Sequence, residues 1–450
     1  MKAYTINPAT EEKINGYDLF SKQQLDSTIK NSKIAQEKWK NHPVSYRTYL
    51  MKSIAKGLIK NKKEFSQLIT EEMGKPITES IAEIEKCAWL CDYFADNAEK
   101  FLQEEKIKTE HKYSYIRFEP LGKILCIMPW NFPFWQVFRC AVPALCAGNS
   151  VILKHSSITL RCSLEIEKFL SSYLDKNIFQ TVITDSKGVN YLMEYIDGVS
   201  ITGSVETGKT IAENAGKKLK KVVLELGGSD PFIVLKDADI KLTCNEAIKG
   251  RFINSGQSCI AAKRFIVVKE RFDEFTKKIV DLVKTLEVGD PIKETTKIGP
   301  LARKNFVLNI DKQVKDSIKQ GAKVLYGGKQ LERKGYFYSP TVLIASNKMR
   351  VVKEETFGPV FSIIKVNSDE EAIKEANNSE FGLGASIWTR DIKKGMEYTK
   401  KIESGFVAVN NIVRSDPRLP FGGIKNSGIG RELDRYGMLE FCNIKTVIAD

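Results

Sequence analysis

The sequence predicts an α/β protein built from two successive parallel-sheet domains, the first a doubly wound sheet, with a helical segment in front of them. Three observations carry this expectation. At 450 residues the chain exceeds what one core usually organises, since domains hold roughly 100 to 200 residues each. Near residue 121, helical periodicity gives way to short β-rich runs separated by helical stretches. A second alternation of the same kind begins after Pro231. Parallel strands need crossover connections, most often helices, so this alternation is their mark in sequence.

Residues 23–39 and 46–73 place apolar side chains at three- and four-residue spacing, the stripe of an amphipathic helix. Gly74-Lys75-Pro76 stops the second run before another helix carrying Cys87 and Phe94. Strands are expected at 123–128, 150–154, 180–184, 198–202 and 221–226, alternating with helical segments. The run Gly227-Gly228-Ser229-Asp230-Pro231 ends strand pairing and marks a hinge. Beyond it come a strand at 232–235, a helix from Ile240, a strand at 265–269 and a helix at 271–286. Further strands at 322–326, 360–365 and 406–410 supply a second sheet, and no fixed-period repeat interrupts the pattern.

Composition narrows the function. With 42% hydrophobic and 28% charged residues, the chain has the balance of a globular protein with a sizeable core. Seventy Lys and Arg against 56 Asp and Glu give a net charge of +14. The lysines are spread along the chain and interleaved with acids, which fits a solvated basic surface and argues against nucleic acid or an anionic membrane as partner. The N-terminus lacks an apolar leader, and the longest apolar stretch, 124–138, is broken by Pro129, Asn131 and Pro133, so no membrane span is expected. Nine scattered cysteines make no disulfide framework, pointing to a reducing cytoplasm; Cys87 and Cys91, four apart, read as small core residues. Three histidines, His42, His111 and His155, leave little for a metal centre, and no metal is expected. A general base is then a carboxylate.

Residues 203–210, Gly-Ser-Val-Glu-Thr-Gly-Lys-Thr, satisfy the pattern of a phosphate-wrapping loop after a strand. Glu206 opposes that reading, because its charge repels a phosphate, and no strong acidic strand for magnesium follows. A milder role survives, since a helix N-terminus behind a parallel strand is a seat for the pyrophosphate or ribose of a dinucleotide.

Three distant segments carry complementary chemistry. Pro129-Trp130-Asn131-Phe132-Pro133 puts a side-chain amide at the end of a strand, where open sheets bind ligands. Leu224-Glu225-Leu226-Gly227-Gly228 puts a carboxylate in an apolar strand end, where desolvation raises its pKa towards that of a general base. Asn254-Ser255-Gly256-Gln257-Ser258-Cys259 presents one thiol from a small-residue loop that admits close approach of substrate. Singly, each has a plain alternative: a turn cap for Asn131, an exposed strand-end acid for Glu225, an inert core thiol for Cys259.

Together with Thr202-Gly203-Ser204, Glu355-Thr356-Phe357-Gly358-Pro359 and Pro420-Phe421-Gly422-Gly423, these segments stand in an order and spacing that resembles the aldehyde dehydrogenase superfamily over essentially the whole chain. The stretches 153–155, 228–234 and 440–445 look most like the compact succinate semialdehyde dehydrogenases.

The resemblance implies a fold of three parts. A Rossmann-type cofactor domain spans 1–104 and 120–227, a catalytic α/β domain spans 228–435, and a small β oligomerisation element uses 105–119 and 436–450. It implies Cys259 as nucleophile, Asn131 with the Cys259 N–H holding the oxyanion, and Glu225 as the base that hydrolyses the thioester. The presence of Glu225 separates the chain from the coenzyme A-acylating branch, which lacks that carboxylate. A nicotinamide dinucleotide is implied across Trp130, Lys154, Ser157, Gly203, Ser204, Gly208, Glu355 and Phe357, with Glu355 on ribose hydroxyls. Ser157 stands where NAD-preferring relatives often carry Glu, so NADP is the expected choice, with NAD usable. Trp135 and Arg139, four and eight residues after Asn131, fall on one helix face towards the substrate. The surroundings of Arg139 are so apolar that its cation needs an anionic partner, which a substrate carboxylate would supply. Larger relatives add a second Arg where this chain has Ile253; here Ser415 is expected at the carboxylate, with Arg418 as helper. A homodimer or homotetramer is implied. A P-loop ATPase and a dinucleotide-binding protein without turnover stay open as other classes.

Overall fold

The computed structural model describes residues 2–450. Its first large sheet has six strands in the order Gly428–Ile429, Lys221–Glu225, Gly198–Thr202, Lys123–Met128, Ser150–His155 and Phe179–Thr181. All neighbours are parallel except the first pair. Lys123–Met128 starts the sheet and has the next strand on one side and a later one on the other, so its carboxyl end is the topological switch point. Pro129 to Asn131 leave the strand there.

The second sheet runs in the order Lys323–Tyr326, Thr341–Ile344, Val360–Val366, Arg264–Val268, Pro231–Val234, Gly384–Trp388 and Phe406–Val409. Only its first pair is antiparallel. Strands covered on both faces lose alternation and become continuous apolar runs, as Arg-Phe-Ile-Val-Val at 264–268 illustrates with every residue buried. A third sheet is antiparallel, Cys442–Ala449 against Tyr113–Pro120 against Glu105–Lys106.

Helices Val44–Lys60, Ile77–Phe101 and Trp135–Ala147 pack together beneath the first sheet, around Trp39, Phe94, Phe134 and Phe138. All thirteen residues of Trp135–Ala147 are buried, which fits its apolar sequence. No helix among the described residues is long and apolar enough to cross a membrane.

Several expectations change. The helical run 46–73 is two helices, Val44–Lys60 and Lys62–Met73, separated where Asn61 leaves helical geometry. The stop at Gly74 is a left-handed residue with φ +79°. Thr341–Ile344 and Gly384–Trp388 are further strands whose sequences carry no alternation to mark them. Gly428–Ile429 returns to the first sheet, and Phe421 and Leu433 pack into the first core. The chain thus re-enters the first layer within the stretch assigned by sequence to the second domain. The cysteines also need correction: Cys126 and Cys140 are joined, because the helix after the Asn131 loop folds back along the strand before it. The other seven are free thiols.

Candidate active site

Cys259 stands where two cavities, of about 310 and 300 Å³, meet, and among the described residues it alone lines both. The first is bounded by Trp130, Asn131, Gly203, Ser204, Gly227, Phe306, Gln313, Glu355 and Phe357, among others. The second is bounded by aromatic residues Phe132, Trp135 and Phe421 and by Lys86, Arg139, Arg414 and Ser415.

The loop before the thiol is held in a costly conformation. Asn254 and Ser255 are left-handed at φ 50° and 56°, and Gly256 follows at φ 78°. Each non-glycine residue in that region costs about 1 to 3 kcal/mol, so the surroundings must over-determine the turn. They do so through side chains. Asn254 Nδ2 donates to the Asn131 carbonyl at 2.8 Å, and its N–H donates to Glu79 at 2.6 Å. Ser255 accepts from the Gly299 N–H at 2.9 Å, and Gln257 Oε1 accepts from the Ala302 N–H at 3.0 Å. Behind the thiol, Lys263 Nζ donates to the carbonyls of Ser258, Cys259 and Ala261 at 3.0, 2.8 and 3.1 Å. A side chain at Gly256 would overlap the Gly358 carbonyl, which explains the glycine.

Asn131 is buried. Its Nδ2 donates to the Gln257 carbonyl at 3.2 Å, leaving a second N–H, while its Oδ1 has no partner. The backbone N–H of Cys259 donates to no protein acceptor among the described residues. Two donors thus remain for an oxygen beside the sulfur. Burial pushes the Cys259 thiol up to about 12, against the pull of Arg139 and Lys263. The thiol is therefore the resting form, and attack requires removal of its proton.

Glu225 ends the strand Lys221–Glu225, buried, with Oε1 unpartnered. Burial holds its carboxyl well above the usual range; Glu432 adds to this and Arg139 opposes it. It lines neither cavity but lies near enough for its charge to act on Cys259.

Arg139 changes most from expectation. It is buried and ion-paired with buried Glu432, and also donates to Thr202 at 3.4 Å. Its apolar surroundings do demand an anion, and the chain itself supplies one, so the demand no longer implies a substrate carboxylate. Trp135 and Ser415 line the second cavity as expected, whereas Arg418 forks onto Asp416 at 2.9 and 2.7 Å.

Of the cofactor residues read from sequence, Trp130, Gly203, Ser204, Glu355 and Phe357 line the first cavity; Lys154, Ser157 and Gly208 do not. Gly208 is buried in the helix Val205–Gly216, where a Cβ would overlap Leu226, so it brings helix and strand together without facing the cavity. Lys154 and exposed Ser157 stand at and just beyond the carboxyl end of the neighbouring strand, where Arg303 reaches the Ser157 carbonyl at 3.5 Å. Trp130 stacks on Phe306 with centroids 4.9 Å apart and meets Phe357 edge-on. Glu355 accepts from the Gly228 N–H at 3.1 Å, and its other oxygen stands over Gly227.

The first cavity fits a dinucleotide. Gly203 lines it without a side chain, a helix of twelve residues begins at Val205 with Ser204 as its cap, and the Glu355 carboxylate stands in the same wall. Residues 205–216 are helical throughout, and Lys209 is exposed and pairs with Glu206, so no phosphate-wrapping loop forms.

A family model of the aldehyde dehydrogenases matches residues 2–447. The chain belongs to the aldehyde dehydrogenase family. Its activity is the nicotinamide-dependent oxidation of an aldehyde, which removes the ATPase and non-catalytic readings. Among its relatives is a probable NADP-dependent succinate-semialdehyde dehydrogenase of Synechocystis sp., 43% identical over 99% of both chains. The succinate semialdehyde dehydrogenase Sad of Escherichia coli, described as NAD(P)-dependent, is 40% identical over 100% of this chain and 98% of its own. A solved structure of succinic semialdehyde dehydrogenase from Streptococcus pyogenes, in complex with NADP as cofactor, superposes with a TM-score of 0.97 at 34% identity over 99% of both chains.

Proposed function

We propose that this aldehyde dehydrogenase oxidises succinate semialdehyde to succinate in the cytoplasm, with NADP preferred over NAD. The observation that carries the substrate is the second cavity, a small aromatic chamber opening onto Cys259 and bearing Lys86, Arg414 and Ser415. Such a lining suits a short aldehyde ending in a carboxylate. The names of the relatives support the same reading.

In this mechanism the Cys259 thiol gives up its proton to solvent water and its sulfur bonds to the aldehyde carbon, whose C=O π pair moves onto oxygen. The oxygen, now an anion, is held by the free Asn131 N–H and the Cys259 N–H. A dinucleotide held along Trp130, Gly203, Ser204, Glu355 and Phe357 would supply the acceptor for the hydride. Loss of that hydride leaves a thioester on Cys259. Glu225 then takes a proton from water as its oxygen attacks the carbonyl; the carbon–sulfur bond breaks and the acid leaves.

For the cofactor, exposed Ser157 lies just beyond the strand that carries Lys154, and Arg303 reaches its carbonyl. A 2′-phosphate there meets positive charge and a donor. Absorbance of the reduced nicotinamide, with each aldehyde and each dinucleotide, tests both halves. Succinate semialdehyde is expected to outrun butanal, and NADP to outrun NAD. Ser157→Glu is expected to lower the NADP-to-NAD ratio of kcat/KM by at least about 30-fold, since like charges in contact cost several kcal/mol. A ratio left unmoved would remove Ser157 from cofactor choice.

A homodimer or homotetramer is proposed from Cys442–Ala449, an eight-residue strand with one edge unpaired and Ile444 and Ile448 exposed. Light scattering is expected to return twice or four times the 50.8 kDa chain mass, and a monomeric mass overturns this.

A further inference from the structure

The charged groups around the second cavity differ in what already holds them. Arg139 is paired with Glu432. Glu83 is ion-paired with buried Lys75 and accepts the N–H groups of Phe134 and Trp135 at 2.9 and 3.0 Å. Glu79 accepts the N–H of Asn254. Arg414 is exposed. Asp416, beside Ser415, is held by the Arg418 fork.

Lys86 is the exception. Its Nζ donates to the Ser415 hydroxyl at 2.8 Å and lies 4.3 Å above the Trp135 ring, and no carboxylate pairs with it among the described residues. An ammonium carries three donors, so most of its hydrogen-bonding capacity is left over in a half-buried place. Ser415 accepts from Lys86, which leaves its own O–H free to donate. Lys86 and Ser415 line both the cavity that holds Cys259 and an adjoining outer pocket with Trp89 and Leu419, which Cys259 does not reach. They therefore stand at the end of the chamber away from the sulfur.

We propose that Lys86, with the Ser415 hydroxyl beside it, is the anchor for the substrate carboxylate and sets the preference of this enzyme for an aldehyde ending in an acid. The inference rests on the semialdehyde reading above and assigns its recognition to a helix outside the sequence motifs. Arg139 is then a positioning residue that fixes Glu432 behind the chamber.

The measurement is the ratio of kcat/KM for succinate semialdehyde to that for butanal, in the parent enzyme and in Lys86→Met, Lys86→Gln and Lys86→Arg. NADP binding and the melting temperature are read alongside to establish folding. In Lys86→Met and Lys86→Gln the ratio is expected to fall about 30- to 100-fold, or about 2 to 2.7 kcal/mol at 1.36 kcal/mol per tenfold. Most of the fall is expected in KM for the acid, and Lys86→Arg is expected to recover part of it.

A pH series gives a second readout. Burial pushes the Lys86 ammonium down to about 8, helped by Arg139 and Arg414 and opposed by Cys87 and Asp416; Glu79 and Glu83 also line the chamber. The parent ratio is expected to decline as pH rises through about 8, and to stay flat in Lys86→Met. Taking the ratio cancels the titrations of Cys259 and Glu225, which act on both aldehydes. A parent preference that survives in both Lys86→Met and Lys86→Gln overturns the anchor alone. A parent enzyme with no preference for the acid overturns the semialdehyde reading itself.

Discussion

Cys259→Ala is expected to lower aldehyde oxidation by about 10⁴-fold or more, a loss of the size seen when a nucleophile that works as one unit with its partners is removed. No other thiol can substitute. Cys87, Cys91, Cys146, Cys162, Cys244 and Cys442 are buried, Cys126 and Cys140 are joined, and none of them lines either cavity. Binding of NADP, read by quenching of tryptophan fluorescence, is expected to persist because Trp130, Gly203, Ser204 and Glu355 are untouched. Retention of a hundredth of the parent rate would place the nucleophile elsewhere. Cys259→Ser is expected to fare little better, since a buried hydroxyl is harder to ionise than a thiol already pushed up to about 12.

Glu225→Gln is expected to give one rapid turnover per site and then a steady state slowed about 10²- to 10⁴-fold, the usual contribution of a general base. The first equivalent of reduced nicotinamide needs the thiol and the oxyanion donors; later ones need the thioester to be hydrolysed. Rapid mixing at the reduced-nicotinamide band separates the two phases. A first turnover slowed as much as the rest would move Glu225 to the step that deprotonates Cys259. The pH dependence follows from burial. Because burial holds the folded carboxyl above its ordinary value, kcat is expected to rise with pH as Glu225 ionises. That limb is expected to be absent from Glu225→Gln.

Both sheets were legible in the sequence because parallel strands alternate with helices, and the three motif loops were legible because they sit at strand ends or strained turns. Strands such as Gly384–Trp388 escaped, since a buried run of five small and apolar residues has no period to read. The substrate chamber was least legible. Lys86 lies in Glu-Lys-rich helical sequence that reads as a solvated face, and its half-buried ammonium meets the hydroxyl of Ser415, 329 residues later. Glu432, which answers the charge of Arg139, is equally remote and sits in no recognisable motif. Cys126 and Cys140 are 14 residues apart, and only the reversal of the chain through the Asn131 loop brings them together. Charge partners chosen by tertiary closure leave no trace in local pattern.

Among the described residues, the two cavities have no wall residue in common except Cys259. For a lineage of such enzymes this is a division of heritable labour: substitutions accumulating on one side of the sulfur leave the other side intact. Ser157 and Lys86 have different hydrogen-bond partners, Arg303 and Ser415, so the free energies of changes at the two are expected to combine additively, as they do for separated sites. One inherited dinucleotide half can then be paired with many differently shaped aldehyde chambers, each tuned by a few side chains.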